Sequence, residues 1–188
     1  MSVKCEATPI EGLLVVRGVL HEDERGYFQE FWNRSDSARA GLPSDFVQDN
    51  IVRTRRAGVL RGMHWQCSPW GQGKLVACLS GALQDVVVDL RPESPTRFQH
   101  FSIDLEGDSG VALWVPEGFA HGYLTLAPDT LVLYKVTRPW NRASERAFRW
   151  DDPQLSLPWK TRSPGLSEKD ARAPKLDELR KSLLDELV

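Results

Sequence analysis

The sequence predicts an all-β fold, a sandwich or barrel of short strands followed by a C-terminal helix. Eight or more short apolar runs are separated by glycine and proline, which is typical of β-sandwiches and barrels. Helical periodicity is almost absent before residue 167, so only short helices are expected there. The last residues then carry leucines at helical spacing, which predicts one amphipathic helix.

The first part of the chain predicts two strands and a short helix. Residues 10–20, rich in valine and leucine, alternate loosely and predict a strand. A turn at 23–26 leads to an aromatic strand over 27–32. A helix is expected to begin with Ser35 as its cap and to end at Gly41.

The middle of the chain predicts most of the sheet. Its apolar runs are short and bounded by turn residues, which is the pattern of strands. The predicted strands are 46–52, 59–66, 74–80, 82–90, 98–105, 110–115, 122–126, 130–136 and 147–150.

The sequence predicts a single domain, 1–188, in which the C-terminal tail changes from strands to helix. Ser167 and Asp170 have the spacing of a capping box, with Asp where Glu or Gln is usual. Pro174 suits a helix start, and a helix is expected over about 174–187. Its leucine stripe predicts packing on the barrel or on a partner subunit.

Composition narrows the class of protein. A net charge of −2 gives no basic field for nucleic acid. No apolar run approaches the roughly 18 residues of a membrane span, and the N-terminus has no signal-peptide core. Three cysteines without metal spacing predict reduced thiols in a cytoplasmic protein. Cys67 is a candidate nucleophile, but no acyl-transfer constellation surrounds it.

Three ionisable groups lie in the apolar stretch from 58 to 76. Arg61, His64 and Lys74 are costly to bury without a function. His64 is a natural general base, or alternatively a buried histidine bonded to the backbone. The two cations suit phosphate, carboxylate or an enolate. Tyr134, in an apolar strand, is either a core residue or the proton acid.

Two histidine-bearing stretches resemble the motifs of double-stranded jelly rolls of the cupin type. Residues 58–64 match the opening of the first motif, and residues 110–121 match most of the second. A metal cupin would have histidine where Gln66 stands and asparagine where Thr125 stands. The sequence therefore predicts the cupin fold without a metal site, with a metal-dependent cupin as the less favoured alternative.

Motifs along nearly the whole chain resemble the dTDP-4-dehydrorhamnose 3,5-epimerase family. Both the residues of these motifs and their order along the chain match that family. They read DERGYFQE, FVQDN, GVLRGMHWQ, QGKLV, DVVVDLR with ESPT, WVPEGFAHGY, LYK, WDDP and LSEKD.

The resemblance implies a role for each matching residue. His64 matches the general base, Asp170 the carboxylate that orients it, Tyr134 the general acid and Lys74 the residue near the C4 oxygen. Trp140 falls where the family has an aromatic residue lining the site. The positions that match those binding the nucleotide diphosphate and sugar are Arg25, Glu30, Gln48, Asn50, Arg61, His121, Glu145 and Lys169.

The resemblance implies an epimerase of dTDP-4-dehydro-6-deoxy-D-glucose, without cofactor or metal, that forms a homodimer. Two alternatives remain. One is an epimerase that inverts C3 or C5 alone in another deoxysugar pathway, with dTDP or another nucleotide. The other is a non-catalytic cupin that binds a sugar nucleotide.

Overall fold

A computed structural model describes residues 3–179, and within them the all-β prediction is confirmed. Two short helices accompany the strands: α1 (Arg34–Arg39) and α2 (Glu168–Ala171). The strands are β1 (Val3–Ala7), β2 (Leu14–Gly18), β3 (His21–Asp23), β4 (Gly26–Phe28), β5 (Gln48–Thr54), β6 (Leu60–Gln66), β7 (Lys74–Ser80), β8 (Ala82–Asp89), β9 (His100–Glu106), β10 (Val111–Val115), β11 (Phe119–Thr125), β12 (Thr130–Val136) and β13 (Glu145–Ala147).

Two antiparallel sheets pack face to face as a jelly roll. A six-stranded sheet has the order β1-β2-β10-β7-β12-β5, and a five-stranded sheet has the order β13-β6-β11-β8-β9. Val76 and Leu113 from the first sheet share one buried cluster with Val87 and Phe119 from the second. Burial of these apolar faces is the main force that holds the sheets together. The hairpin β3–β4 stands apart as a third, two-stranded sheet.

The first fifty residues depart most from the sequence predictions. The predicted strand over 10–20 is shorter, because residues 11 and 12 form a turn before β2. Strand β1, which pairs with β2 over its whole length, was not predicted. The aromatic strand ends at Phe28, so the prediction of strand up to residue 32 is wrong.

The prediction of Ser35 as the helix cap is also wrong. Asn33 is the N-cap of α1, and its side-chain oxygen accepts hydrogen bonds from the backbone N–H groups of Ser35 and Asp36. Gly41 ends the helix as predicted, since it follows the C-cap Ala40 and has a φ of 80°, a left-handed backbone that favours glycine. Asparagine and serine are almost equally good N-cap residues, so residue type alone does not decide between Asn33 and Ser35.

Two glycines set the spacing between the histidine-bearing strands β6 and β11. A Cβ atom on Gly62 would lie 2.5 Å from the Cα of Gly122, so neither position has room for a side chain. The pairing register shifts between His121 and Tyr123 at this contact. As a result His121 lies directly opposite His64.

The tail packs across the outer face of the five-stranded sheet. Leu155 and Leu176 are buried against Met63, Trp65 and Phe148, which forms a second apolar cluster behind β6. Tail and barrel are therefore joined by burial of apolar side chains over a broad contact.

Backbone hydrogen bonds hold the tail beside β6. Gly165 donates from its N–H to the carbonyl of Gly58 at 2.7 Å and accepts from the N–H of Leu60 at 3.0 Å. This attachment places α2 next to the middle of β6. Residues 176–179 form a helical turn where the C-terminal helix was expected, and the rest of that helix lies outside the described residues.

No helix within residues 3–179 is long and apolar enough to span a membrane.

Candidate active site

A cavity of about 430 Å³ lies between the two sheets and beneath the tail. It collects residues that are far apart in the sequence, from β6, β7, β11, β12, β13 and α2. Of the predicted site residues, the structure brings together around it Arg61, His64, Lys74, His121, Tyr134, Trp140, Glu145, Lys169 and Asp170.

His64 and Asp170 form a hydrogen-bonded pair in this cavity. The Nε2 atom of His64, on β6, is 2.5 Å from Oδ1 of Asp170, on α2. Burial acts to raise the pKa of Asp170, but the hydrogen bonds from His64 and Ser167 and the charges of His64 and Lys169 together bring it below its ordinary value. An ionised carboxylate on one nitrogen leaves the other ring nitrogen of His64 for the cavity, as a general base requires.

Asp170 also takes part in the predicted capping interaction. Its backbone N–H donates to Oγ of Ser167, the N-cap of α2, at 3.1 Å. The structural and the orienting interpretation of Asp170 therefore both have a geometric basis.

Tyr134 faces the cavity from the opposite sheet. It lies on β12 of the six-stranded sheet, whereas His64 lies on β6 of the five-stranded sheet. Burial raises the pKa of Tyr134, the Arg61 cation acts against that rise, and Glu145 adds to it. A phenol that keeps its proton at neutral pH can deliver it to a group held between the sheets.

A second histidine–carboxylate pair lies deeper in the same cavity. His121 Nε2 is 2.9 Å from Oδ2 of Asp85, and both side chains are buried. Nearby, burial lowers the pKa of Lys74 to about 8, while the negative charges of Asp85 and Glu145 oppose that shift. Lys74 is therefore a cation below about pH 8 and loses its charge as the pH rises through that value.

An ion pair and an exposed indole form the rim. Lys169 Nζ lies 2.7 Å from Oε2 of Glu145, which joins α2 to β13. Burial acts to raise the pKa of Glu145, but the hydrogen bond and charge of Lys169, together with Trp140 and His64, lower it. Trp140 is 56% exposed, so one face is free to stack on a planar ring.

Four predicted site residues do not line this cavity. Gln48 and Asn50 lie beside it on β5, where Gln48 Nε2 donates to Asn50 Oδ1 at 2.7 Å and Asn50 is directly opposite Tyr134. Arg25 and Glu30 lie farther away. Arg25 is exposed in the β3–β4 hairpin, paired with Asp23, and Glu30 follows that hairpin near Asn33.

The structure adds polar residues that the sequence analysis did not assign to the site. Arg56, Gln72, Tyr123 and Ser167 line the cavity, and Asp85 holds His121 from behind. Asp85 carries a sequence signal, since it is a charged residue within the apolar run of β8. Arg56, Gln72 and Ser167 lie outside the strands, where polar residues are common, whereas Tyr123 lies within the buried strand β11.

The sequence analysis favoured a cupin without a metal site over one in which His64 and His121 bind a metal ion. Among residues 3–179 no group of three or more His, Cys, Asp or Glu side chains is arranged to hold a metal ion. Gln66, at the position of the missing histidine, donates to the Trp70 carbonyl at 2.7 Å and accepts from the Asn141 N–H at 2.6 Å.

A larger cleft of about 670 Å³ lies behind β6 and contains none of the predicted base, acid or substrate-binding residues, although Cys67, the candidate nucleophile, is part of its lining. Trp65, Leu90, Phe98 and Leu176 give it an apolar lining with arginines at its edge. It has no histidine, so the smaller cavity is the candidate active site.

Comparison with known proteins gives one consistent result. Residues 7–178 match the family model described as dTDP-4-dehydrorhamnose 3,5-epimerase. The chain is 46% identical over 162 residues to the dTDP-4-dehydrorhamnose 3,5-epimerase of Sinorhizobium fredii, covering 84% of this chain and 81% of that protein.

Two solved structures show the same architecture. The Legionella pneumophila dTDP-6-deoxy-D-glucose-3,5-epimerase in complex with dTDP-4-keto-L-rhamnose has a TM-score of 0.89 and 37% identity, covering 96% of each chain. A 3'-monoepimerase from Streptomyces bikiniensis in complex with dTDP-quinovose has a TM-score of 0.86 and 31% identity, covering 94% of this chain and 90% of that one.

The Asp85→Asn variant tests the electrostatics of the cavity. Removing this buried negative charge disfavours the ammonium form, so the pKa of Lys74 should fall further below about 8. An NMR titration of the Lys74 side chain, assigned with a Lys74→Arg variant, measures it. Asp104→Asn, which removes the surface partner of Lys160, is the control and should leave the Lys74 titration unchanged. Equal titration curves for Asp85→Asn and wild type would contradict this assignment.

Proposed function

The chain belongs to the dTDP-4-dehydrorhamnose 3,5-epimerase family and is an isomerase of that type, and we propose that its cavity inverts C3 and C5 of dTDP-4-dehydro-6-deoxy-D-glucose. One observation carries the mechanism. A base supported by a carboxylate, His64 with Asp170, lies on one sheet, and a protonated phenol, Tyr134, faces the same cavity from the other.

The proposed chemistry is enolisation and reprotonation. The ketone at C4 acidifies the hydrogens on C3 and C5, and His64 removes one of them from one face of the sugar. Negative charge then develops on the C4 oxygen, where the Lys74 ammonium stabilises it, an effect of about 3 kcal/mol for a well-placed donor. Tyr134 returns a proton to the opposite face, which inverts the carbon. No cofactor takes part in this sequence of steps.

The nucleotide and sugar are proposed to bind along the rim and the rear wall. Arg61 and Lys169 supply positive charge for the diphosphate, and Trp140 offers a ring face on which the nucleobase of the substrate can stack. His121, Glu145, Gln48 and Asn50 provide hydrogen bonds to the sugar and nucleotide. A dTDP-linked substrate is supported by the ligand of the Legionella enzyme.

A homodimer is proposed, in which the β3–β4 hairpin reaches the active site of the second subunit. Arg25 and Glu30 lie outside the cavity of their own chain, although the family resemblance assigns them to substrate binding. The same hairpin exposes Phe28 at 68% and Tyr27 at 44%, which is apolar surface that a second copy would cover.

Inversion at a single carbon is the second candidate function. The Streptomyces bikiniensis relative, named as a 3'-monoepimerase, has nearly the same fold. Product stereochemistry by NMR separates the two functions, because a monoepimerase leaves one of the two centres unchanged. A binding protein without catalysis would exchange no hydrogen at either carbon.

A cytoplasmic location is also proposed. Cys5, Cys67 and Cys78 form no disulfide within residues 3–179, and reduced cysteines are usual in that compartment.

Solvent exchange tests the proposed function. Wild-type protein incubated with dTDP-4-keto-6-deoxyglucose in deuterated water should place deuterium at both C3 and C5, because each inversion takes its new proton from solvent-exchanging groups. Mass spectrometry and NMR of the product measure this. GDP- and UDP-linked ketosugars serve as controls for the nucleotide. Absence of deuterium at both carbons would refute the proposal.

Tyr134→Phe should separate proton removal from inversion. His64 can still remove hydrogen and exchange it at C3, but the proton for the other face is missing, so inversion should fall by roughly 10²–10⁴-fold. Parallel measurement of exchange and product formation gives the ratio. Tyr123→Phe, which removes another phenol near the site, should have a much smaller effect. Unchanged turnover in Tyr134→Phe would remove this residue from the mechanism.

Mixed dimers test whether Arg25 acts in the partner's site. Arg25→Ala and His64→Asn should each be nearly inactive alone, but coexpressed they should recover about a quarter of wild-type activity, since roughly one site in four is then intact. His64→Asn with Tyr134→Phe is the matched control and should recover nothing. No recovery in the first pair would place Arg25 in its own subunit's site, and full activity of Arg25→Ala alone would place it outside any site.

A further inference from the structure

The two carboxylate oxygens of Asp170 have different partners. Oδ1 is hydrogen-bonded to His64, and Oδ2 accepts a hydrogen bond from the hydroxyl of Ser167 at 2.8 Å. The side chain of Asp170 is only 4% exposed, so little water reaches these oxygens. Ser167 is therefore the protein group that fixes the half of the carboxylate that does not face the base.

We propose that Ser167 is a positioning residue for the reaction, which holds Asp170 in the rotamer that presents Oδ1 to His64; this rests on the proposed function above. Its hydroxyl has one proton and two lone pairs. One lone pair accepts from the backbone N–H of Asp170 at 3.1 Å, and the proton goes to Oδ2 of the same residue. Ser167 is thus hydrogen-bonded to both the backbone and the side chain of Asp170.

The hydrogen bond from Ser167 affects the charge state of Asp170 as well as its position. The charged groups that face Asp170 are His64 from β6 and Lys169 from α2, with Glu145 from β13 paired to Lys169. The hydrogen bond from Ser167 is one of the contributions that lower the pKa of Asp170 against the effect of burial. Its loss makes the carboxylate easier to protonate, so activity should fail at a higher pH on the acidic side.

A helix cap alone would require only an acceptor at this position. Ser167 caps α2, and aspartate caps helices as well as serine does. Aspartate cannot donate a hydrogen bond when ionised, however, and would bring a second negative charge to Oδ2. Threonine keeps both the acceptor and the donor, and alanine removes both. These three substitutions separate the two roles of the hydroxyl.

The test compares Ser167→Thr, Ser167→Asp and Ser167→Ala by kcat, KM and the pH profile of kcat/KM. Thermal unfolding and dTDP binding are measured beside them. We expect Ser167→Thr to resemble wild type. Ser167→Asp should lose about tenfold in kcat, part of what a general base contributes, with little change in KM, a lower Tm because a second carboxylate faces Asp170, and its acidic limb at higher pH. Ser167→Ala should show the same kinetic defect and a lower Tm.

Each outcome decides the matter. Wild-type kcat and acidic limb in Ser167→Asp would reduce Ser167 to a helix cap and overturn the proposal, as would a threonine variant as defective as the alanine one. If Ser167→Asp does not fold, Ser167→Ala decides: normal dTDP binding with reduced kcat and a shifted limb supports the proposal, and unchanged kcat overturns it. Absence of solvent exchange in the wild type would instead refute the proposed function.

Discussion

The hydrogen bond between His64 and Asp170 joins two parts of the chain that are 106 residues apart. Burial of an ionised carboxylate is unfavourable unless hydrogen bonds and opposite charge compensate for it. His64, on β6, provides part of that compensation, and Ser167 and Lys169, at the start of α2, provide the rest. The attachment of the tail to β6 and the short helix α2 therefore both serve to keep this one contact in place.

The cavity also shows how two sheets can supply opposite chemical roles. Strands of the two sheets keep their inward-facing side chains a fixed distance apart because an apolar core fills the rest of the space between them. A ring bound between the sheets has one face toward β6 and the other toward β12. In the proposed mechanism, His64 and Tyr134 need no movement of the backbone to reach opposite faces, and preorganisation of this kind is a large part of enzymatic rate enhancement.

Sequence patterns revealed the strands of the barrel but not the connections that build the site. Strands β7 and β12 lie where short apolar runs bounded by turn residues predicted them, because burial between the sheets favours apolar side chains there. Strand β1 escaped notice because Val3–Ala7 mixes charged and apolar residues, as suits an edge strand. The choice of Asn33 over Ser35 as helix cap could not be predicted, because asparagine and serine cap helices about equally well.

The candidate site was predictable to a similar degree. His64, Lys74 and Tyr134 stood out as polar groups in apolar runs. Asp85 did not, because its importance comes from His121, which is 36 residues away in the sequence, and Ser167 was recognised only as a helix cap. Strand β13 ends the last sheet at Ala147, whereas Ser167, Lys169 and Asp170 come afterwards. During synthesis on the ribosome, all strands of the two sheets are thus made before Asp170, the carboxylate partner of His64. The scaffold of the nascent chain is therefore complete before the candidate active site can form.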